Sequence, residues 1–161
     1  MSLNISSTQY IDGLDIYESS IDNMPSVDYT SISYEKKNDL QYFCNDKEVI
    51  EQIKDYFTNK IIESKINEPF EIDFVIQKNL PNFELIPHFD NSDMLGVILI
   101  NLVNSNTSTE FYNNQNIKIG QAPTDVNKGI MYLNNFDFKH GYKNNSNNNR
   151  YIAICMIYKK Y

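Results

Sequence analysis

The sequence predicts a mainly β domain in which a helix precedes a series of short strands. Three observations lead to this prediction: one stretch alone has a helical period, short strand-like runs begin after Pro69, and polar stretches separate those runs. The chain has 161 residues, which is enough for one domain with its own core. We therefore expect residues 1–161 to form a single domain.

The N-terminal part, residues 1–68, is expected to support the rest of the domain. Its first 40 residues are polar and have no clear period, so they would supply a short outer strand or two and some loop. The stretch NDKEVIEQIKDYFTNKIIESKI, residues 45–66, predicts a helix because its apolar residues recur every three or four positions. Asn45 or Asp46 can cap the first turn of that helix.

Residues 69–161 contain about eight closely spaced runs rich in β-branched and aromatic residues. In chain order these runs are FEIDFVIQ, FELIPHF, LGVILINLV, TEFY, IKIG, GIMYLN, FDFKHGY and RYIAICMIYKKY. So many short strands without helices between them favour a sandwich, jelly roll or barrel over a parallel α/β sheet. The preceding helix would then cover one face of the larger sheet.

Charge and cysteine usage restrict the partners and the location. A net charge of −7 argues against nucleic acid, since phosphate contacts need clustered Lys and Arg, and favours a small-molecule or peptide or protein partner. Cys44 and Cys155 are too few for a disulfide framework and are expected to be free thiols. The sequence shows neither a signal peptide nor a membrane-spanning run, which predicts a soluble, cytoplasmic protein. It does not indicate an oligomeric state.

The residues most suited to metal chemistry are the two histidines and a nearby aspartate. His88 and Asp90 are two residues apart, and side chains alternate along a strand, so both would point to one side and could reach one ion. His140, in the run FDFKHGY, is the only other histidine in the chain. Two histidines and one carboxylate on one face of an iron leave positions open, as in non-haem Fe(II) oxygenases.

Arg150, the only arginine, opens the last run and follows His140 by 150 − 140 = 10 residues. A hairpin through KNNSNNN would bring His140 and Arg150 near each other on neighbouring antiparallel strands. A His-x-Asp sequence, a second histidine 140 − 88 = 52 residues later and this arginine are each weak signals alone. Their combination rarely arises by chance, which favours a functional reading.

This spacing, over about residues 70–161, resembles the Fe(II)- and 2-oxoglutarate-dependent dioxygenases, and among them the small single-domain members of the prolyl-4-hydroxylase-like type. The resemblance implies a double-stranded β-helix core, which is a jelly-roll or cupin-like fold, over residues 69–161. It implies that His88, Asp90 and His140 hold Fe(II) and that O₂ is a substrate. Ascorbate is a further candidate cofactor.

The same resemblance assigns the cosubstrate site. Arg150 would bind the far carboxylate of 2-oxoglutarate, since a guanidinium fork matches a carboxylate. The family often has a hydroxyl residue two positions after this basic residue, where the present chain has Ile152, and we expect Tyr132 to supply the hydroxyl instead. The family's glycine pair is also absent, although the stretch NSNTSTEFY keeps Thr109 of the adjoining motif.

The implied activity is that of a hydroxylase that acts on a peptidyl or free amino acid, or on another small substrate, and releases succinate and CO₂. The alternative is a non-catalytic, cupin-like metal-binding jelly-roll protein, because a site of this composition can also hold zinc. Arg150 distinguishes the two, since a plain metal site needs no guanidinium beyond its last ligand.

Overall fold

The computed structural model describes residues 2–161. Twelve β-strands account for most of its regular structure: β1 (Ser2–Gln9), β2 (Ile16–Asp22), β3 (Tyr34–Asn38), β4 (Gln41–Cys44), β5 (Phe70–Asn79), β6 (Glu84–His88), β7 (Met94–Asn101), β8 (Glu110–Tyr112), β9 (Lys118–Gln121), β10 (Lys128–Leu133), β11 (Lys139–Lys143) and β12 (Arg150–Lys159). Two helices, α1 (Lys47–Lys54) and α2 (Asn59–Ile62), lie between β4 and β5. The mainly β prediction is confirmed, and each predicted run after Pro69 forms a strand.

The strands form two antiparallel sheets between which the chain passes repeatedly. The larger sheet has the order β1-β2-β10-β7-β12-β5-β4-β3, and the smaller one has the order β6-β11-β8-β9. From β5 onward the chain moves from the larger sheet to the smaller one and back three times. This winding is that of a double-stranded β-helix, or jelly roll, which confirms the predicted core.

The N-terminal residues contribute more strands than the sequence predicts. β1 and β2 extend one edge of the larger sheet through the pairing of β2 with β10, and β3 and β4 extend the other edge through β5. Three strands, β1 to β3, form within residues 1–40, where one or two were expected, and β4 follows them. The existing edges of β10 and β5 supply backbone hydrogen-bond partners, so these polar segments become strands without a strong pattern of their own.

The helix predicted for residues 45–66 is wrong in extent, because two shorter helices form there. Asp46 is the cap of α1, and its carboxylate accepts a hydrogen bond from the Val49 backbone N–H at 3.2 Å. The helix ends at Lys54, and Thr58 has an extended backbone with ψ of 146° before α2 begins.

Two consecutive aromatic residues in the break explain the interruption. Tyr56 and Phe57 are both buried, with 6% and 3% of their surfaces exposed. Successive residues of a helix point about 100° apart, so a continuous helix would direct the two rings differently. In the break, the Tyr56 hydroxyl donates to the Asn23 carbonyl at 3.0 Å, and the Phe57 ring lies 5.1 Å from that of Phe74.

The core occupies both faces of the larger sheet. Alternate residues of β7 show this, since Ile98 and Ile100 belong to a cluster with the helices, whereas Val97 and Leu99 belong to a cluster between the two sheets. Burial on both faces explains why the run LGVILINLV is apolar from Leu95 to Ile100, without alternating polar residues. The helices cover one face of the larger sheet, as predicted, and the space between the sheets remains for a site.

None of the helices in residues 2–161 is long and apolar enough to cross a membrane.

Candidate metal centre

The pairing of β6 with β11 places the two histidines side by side. His88 lies directly opposite His140, and their ring centroids are 4.4 Å apart. Asp90 lies just beyond the end of β6, and its Oδ1 is 3.7 Å from His88 Nε2 and 3.6 Å from His140 Nε2. The sequence-predicted triad therefore comes together at one place, although Asp90 is not itself part of the strand.

These three side chains fit a divalent metal ion. Two ligands that each lie about 2.1 Å from one ion, at tetrahedral to right angles, are about 3.0–3.4 Å apart, close to the separations observed here. His88 Nδ1 lies 2.8 Å from the Ile86 carbonyl oxygen, which can only accept, so Nδ1 donates and Nε2 keeps its lone pair. Within residues 2–161, this is the one group of three such side chains whose ligand atoms converge.

His140 is held in the neutral form that a metal ligand needs. Its pKa is lowered to about 4, chiefly by burial and also by the nearby His88, while Asp90 opposes the shift. The imidazole is therefore unprotonated at neutral pH.

Tyr132 lies against the His88–Asp90–His140 triad. Its hydroxyl donates to Asp90 Oδ2 at 2.7 Å and lies 3.2 Å from His140 Nε2. Burial raises the pKa of Tyr132 well above its ordinary value, and Asp90 adds to the shift, so the hydroxyl remains a donor. The bond leaves Asp90 Oδ1 facing the histidines.

The sequence predicted a different place for Tyr132, beside the far carboxylate of the cosubstrate. In the structure the Tyr132 hydroxyl lies at the His88–Asp90–His140 triad, and the hydroxyls that contact Arg150 belong to other residues. The sheet order explains this, because β10 carries Tyr132 and is separated by β7 from β12, which carries Arg150.

We expect Tyr132→Phe to lower the affinity for Fe(II) about 10–100-fold without unfolding the protein, because the variant loses the bond that orients Asp90. Anaerobic metal titration of both proteins would measure the change. Tyr17→Phe is the matched control, since it removes a tyrosine–aspartate bond, to Asp15, away from the triad. Equal metal affinities in Tyr132→Phe and the parent protein would contradict the orienting role.

Gly141 permits the close approach of β11 to β6 beside the histidine pair. A Cβ at this position would lie 2.8 Å from the Leu85 carbonyl oxygen and 3.0 Å from the Pro87 nitrogen, both of them backbone atoms. The pairing register also shifts between His140 and Tyr142, as at a β-bulge. A side chain at 141 would therefore force the two strands apart.

Gly141→Ala is expected to lower the free energy of unfolding by about 1–3 kcal/mol and to weaken metal binding, because separating the strands also separates the histidines. Chemical denaturation and metal titration would test both effects. Gly120→Ala is the control: it lies in the same sheet, and its new Cβ would meet only the flexible side chain of Ile11. A Gly141→Ala protein as stable as Gly120→Ala would refute this account.

A cavity of about 180 Å³ lies between the sheets and is lined by both the His88–Asp90–His140 triad and Arg150. Its apolar wall comes from inward-facing residues of β7 and β12, namely Val97, Leu99, Ile152 and Ile154. His88 retains 35% side-chain exposure, whereas His140 retains only 9%. Of the two histidines, His88 is therefore the more accessible to solvent.

Arg150 is a buried cation in the wall of this cavity, with 5% of its surface exposed. Its Nη2 donates to Thr109 Oγ1 at 3.1 Å, and its guanidinium carbon lies 4.0 Å from the centroid of the Tyr142 ring. Burial lowers its pKa to about 10, a shift that Tyr142 opposes, so it stays charged at neutral pH.

Arg150 lacks a carboxylate partner within the described chain. Its Nε has no hydrogen-bond partner, and none of the ion pairs among residues 2–161 involves it. Burying an unpaired charge is costly, and a ligand that brings an anionic group into the cavity would compensate that cost. The site is thus suited to a carboxylate ligand.

The predicted route between His140 and Arg150 is wrong, although both line the same cavity. β11 belongs to the smaller sheet and β12 to the larger one, so residues 144–149 cross between sheets instead of forming a hairpin. Asn144 fixes the crossing, because its side-chain amide donates to the backbone carbonyls of Asn79 and Asn148 at 3.2 and 2.8 Å. The low-complexity sequence gave no sign of this change of sheet.

Sequence reasoning missed the residues that surround Arg150. Tyr142 was not among the predicted site residues, and Thr109 was noted only as part of a retained motif. The spacing of Tyr142, two residues after His140, was a usable signal, since alternation places such residues on one face of a strand. Asn79, which also lines the cavity, carried no comparable signal.

Comparison with known proteins gives matches at the level of fold. No model of a known protein family matches the chain, and no curated protein sequence matches it. The viral collagen prolyl hydroxylase vCPH from Paramecium Bursaria Chlorella virus-1, in its 2-oxoglutarate complex, matches with a TM-score of 0.62 at 15% identity and covers 94% of this chain and 99% of that one.

Two further structures match over most of their length. HygX from Streptomyces hygroscopicus, with nickel and 2-oxoglutarate bound, matches with a TM-score of 0.65 at 10% identity. The match covers 93% of this chain and 85% of the HygX chain. The α-ketoglutarate-dependent epimerase SnoN from nogalamycin biosynthesis matches with a TM-score of 0.64 at 8% identity, over 91% of this chain and 78% of the SnoN chain. The chain therefore has the fold of the Fe(II)- and 2-oxoglutarate-dependent oxygenases.

Proposed function

We propose that the protein is an Fe(II)- and 2-oxoglutarate-dependent oxygenase. The observation that carries this proposal is that one cavity combines a 2-His-1-Asp group with a buried arginine that has no carboxylate partner among residues 2–161. The alternative, a non-catalytic cupin-like metal-binding protein, gives no reason to bury an unpaired cation beside the metal. Similar structures that hold 2-oxoglutarate support the same choice.

The roles of the residues follow from their positions. His88, Asp90 and His140 would hold Fe(II), which with 2-oxoglutarate and O₂ supplies the oxidation of the substrate and the release of succinate and CO₂. Arg150 binds the far carboxylate of the cosubstrate through its free N–H groups. The apolar wall formed by β7 and β12 keeps bulk water away from the reacting atoms.

The proposed substrate is an amino-acid residue in a peptide, a free amino acid or another small molecule. Similar structures support this range: a prolyl hydroxylase from Trichoplax adhaerens is in complex with a peptide fragment of hypoxia inducible factor, and HygX is also known with hygromycin B. The substrate would approach beside His88, which is the more exposed of the two histidines.

Domain organisation and location complete the proposal. Residues 1–68 would support residues 69–161, which carry the metal site, and the incorporation of β1–β4 into the larger sheet supports one domain. Cys44 and Cys155 are buried free thiols, which supports a reducing, cytoplasmic location.

An anaerobic titration of the metal-free protein with Fe(II) and then 2-oxoglutarate tests the proposed function. We expect a visible metal-to-ligand charge-transfer band that grows only when both are present, because the cosubstrate must chelate the bound iron. Tight metal binding without that band at saturating 2-oxoglutarate would instead support the binding-protein alternative.

A further inference from the structure

Two buried polar atoms without a partner face the same cavity. Across residues 2–161, three buried side-chain atoms have no hydrogen-bond partner: Ser19 Oγ, Asn79 Oδ1 and Arg150 Nε. Asn79 and Arg150 both line the cavity, and they lie directly opposite one another in the pairing of β5 with β12. One unpartnered atom is an acceptor, and the other is a donor.

A carboxylate ligand cannot supply the hydrogen-bond partner that Asn79 Oδ1 lacks. Asn79 is 1% exposed, and its amide oxygen and a carboxylate are both acceptors, so neither can satisfy the other. The oxygen requires a donor, and the unpartnered buried donor in the described chain is Arg150 Nε. A buried acceptor and a buried donor on facing residues gain most by pairing with each other.

The backbone of Asn79 is fixed on several sides. It pairs with Arg150 in β12 and with Gln41 in β4, and its carbonyl oxygen accepts from the Asn144 side chain. Any adjustment that joins Asn79 Oδ1 to Arg150 Nε is therefore made by the two side chains.

We propose that Asn79 is a positioning residue for Arg150, an inference that rests on the proposed function. When 2-oxoglutarate binds, Asn79 Oδ1 accepts from Arg150 Nε while Thr109 Oγ1 accepts from Nη2. The planar guanidinium is then held from two sides, and its remaining N–H groups form the fork that binds the far carboxylate.

The variant Asn79→Leu tests this proposal, because it removes the acceptor and keeps a side chain that branches at Cγ. We expect the affinity of the Mn(II)-loaded protein for 2-oxoglutarate to fall roughly tenfold or more, the range for a hydrogen bond to a charged group, while its affinity for Mn(II) stays the same. Isothermal titration calorimetry measures both. A merely structural role would lower thermal stability and both affinities together.

A double-mutant cycle shows whether Asn79 acts through Arg150. Arg150→Lys has no guanidinium Nε, so adding Asn79→Leu to that variant should change 2-oxoglutarate affinity by less than about twofold. Asn79→Asp provides a second test that preserves size and polarity. Its carboxylate would pair with Arg150 and compete with the cosubstrate, so it should weaken 2-oxoglutarate binding more than Asn79→Leu does.

Ser19→Ala is the matched control, since it removes the third unpartnered atom, which lies outside the cavity lining. It should leave 2-oxoglutarate affinity unchanged. A parent protein that binds metal but no 2-oxoglutarate would overturn the proposed function, and this inference with it. Two results would overturn only the inference, provided that the parent protein binds 2-oxoglutarate. One is an unchanged 2-oxoglutarate affinity in Asn79→Leu. The other is an equal loss of affinity when Asn79→Leu is added to the parent protein and to Arg150→Lys.

Discussion

Arg150→Met should abolish measurable 2-oxoglutarate binding and leave Fe(II) binding intact. The guanidinium is the one cation in the cavity lining, and no carboxylate of residues 2–161 neutralises it. Arg150→Lys keeps the charge but loses the planar fork, so its affinity for 2-oxoglutarate should fall about 10–100-fold. Calorimetric titration of the metal-loaded proteins would compare the three.

Arg150→Met should raise the stability of the protein, although it removes 2-oxoglutarate binding. Without 2-oxoglutarate, Arg150→Met should raise the free energy of unfolding by about 1 kcal/mol or more, because it removes a buried charge that lacks a carboxylate partner. With excess 2-oxoglutarate, only the parent protein should gain stability, since a ligand stabilises the state that binds it.

Lys143→Met is the control for Arg150→Met, because it removes an exposed positive charge from β11, in the other sheet. It should change neither 2-oxoglutarate affinity nor stability appreciably. Retention of full 2-oxoglutarate affinity by Arg150→Met would remove the arginine from the proposed site.

Asp90→Ala should end 2-oxoglutarate turnover and lower Fe(II) affinity by more than about 100-fold. Loss of a group that only orients a metal ligand lowers metal affinity by up to about 100-fold. The loss at Asp90 should be larger, because Asp90 is itself the proposed ligand and carries the negative charge. The variant also leaves the Tyr132 hydroxyl without its acceptor. His88→Ala and His140→Ala should abolish turnover as well, because the chain has no other histidine.

Succinate formation from 2-oxoglutarate, together with metal titration, measures these effects. Asp93→Ala is the matched control, since Asp93 is a nearby carboxylate that bonds to Tyr161 and is not part of the triad. Full turnover by Asp90→Ala would exclude Asp90 as a metal ligand.

The sequence determined the strands of the core and the composition of the candidate metal site. Runs such as LGVILINLV are specified locally, because β-branched and apolar side chains favour a strand that is buried on both faces. The triad was predictable because only two histidines exist and because one of them has an aspartate two residues away. Residue type and short-range spacing carry this information directly.

Tertiary structure alone decided which side chains meet in the cavity. Because β11 lies in the smaller sheet and β12 in the larger one, His140 and Arg150 are in different walls of the cavity. The position of β10 beside β7 directed Tyr132 to Asp90 instead of Arg150. Asn79 faces Arg150 only because β5 pairs with β12 in this register. Strand order and register depend on the packing of the whole chain, so the spacing of residues along the sequence does not specify them.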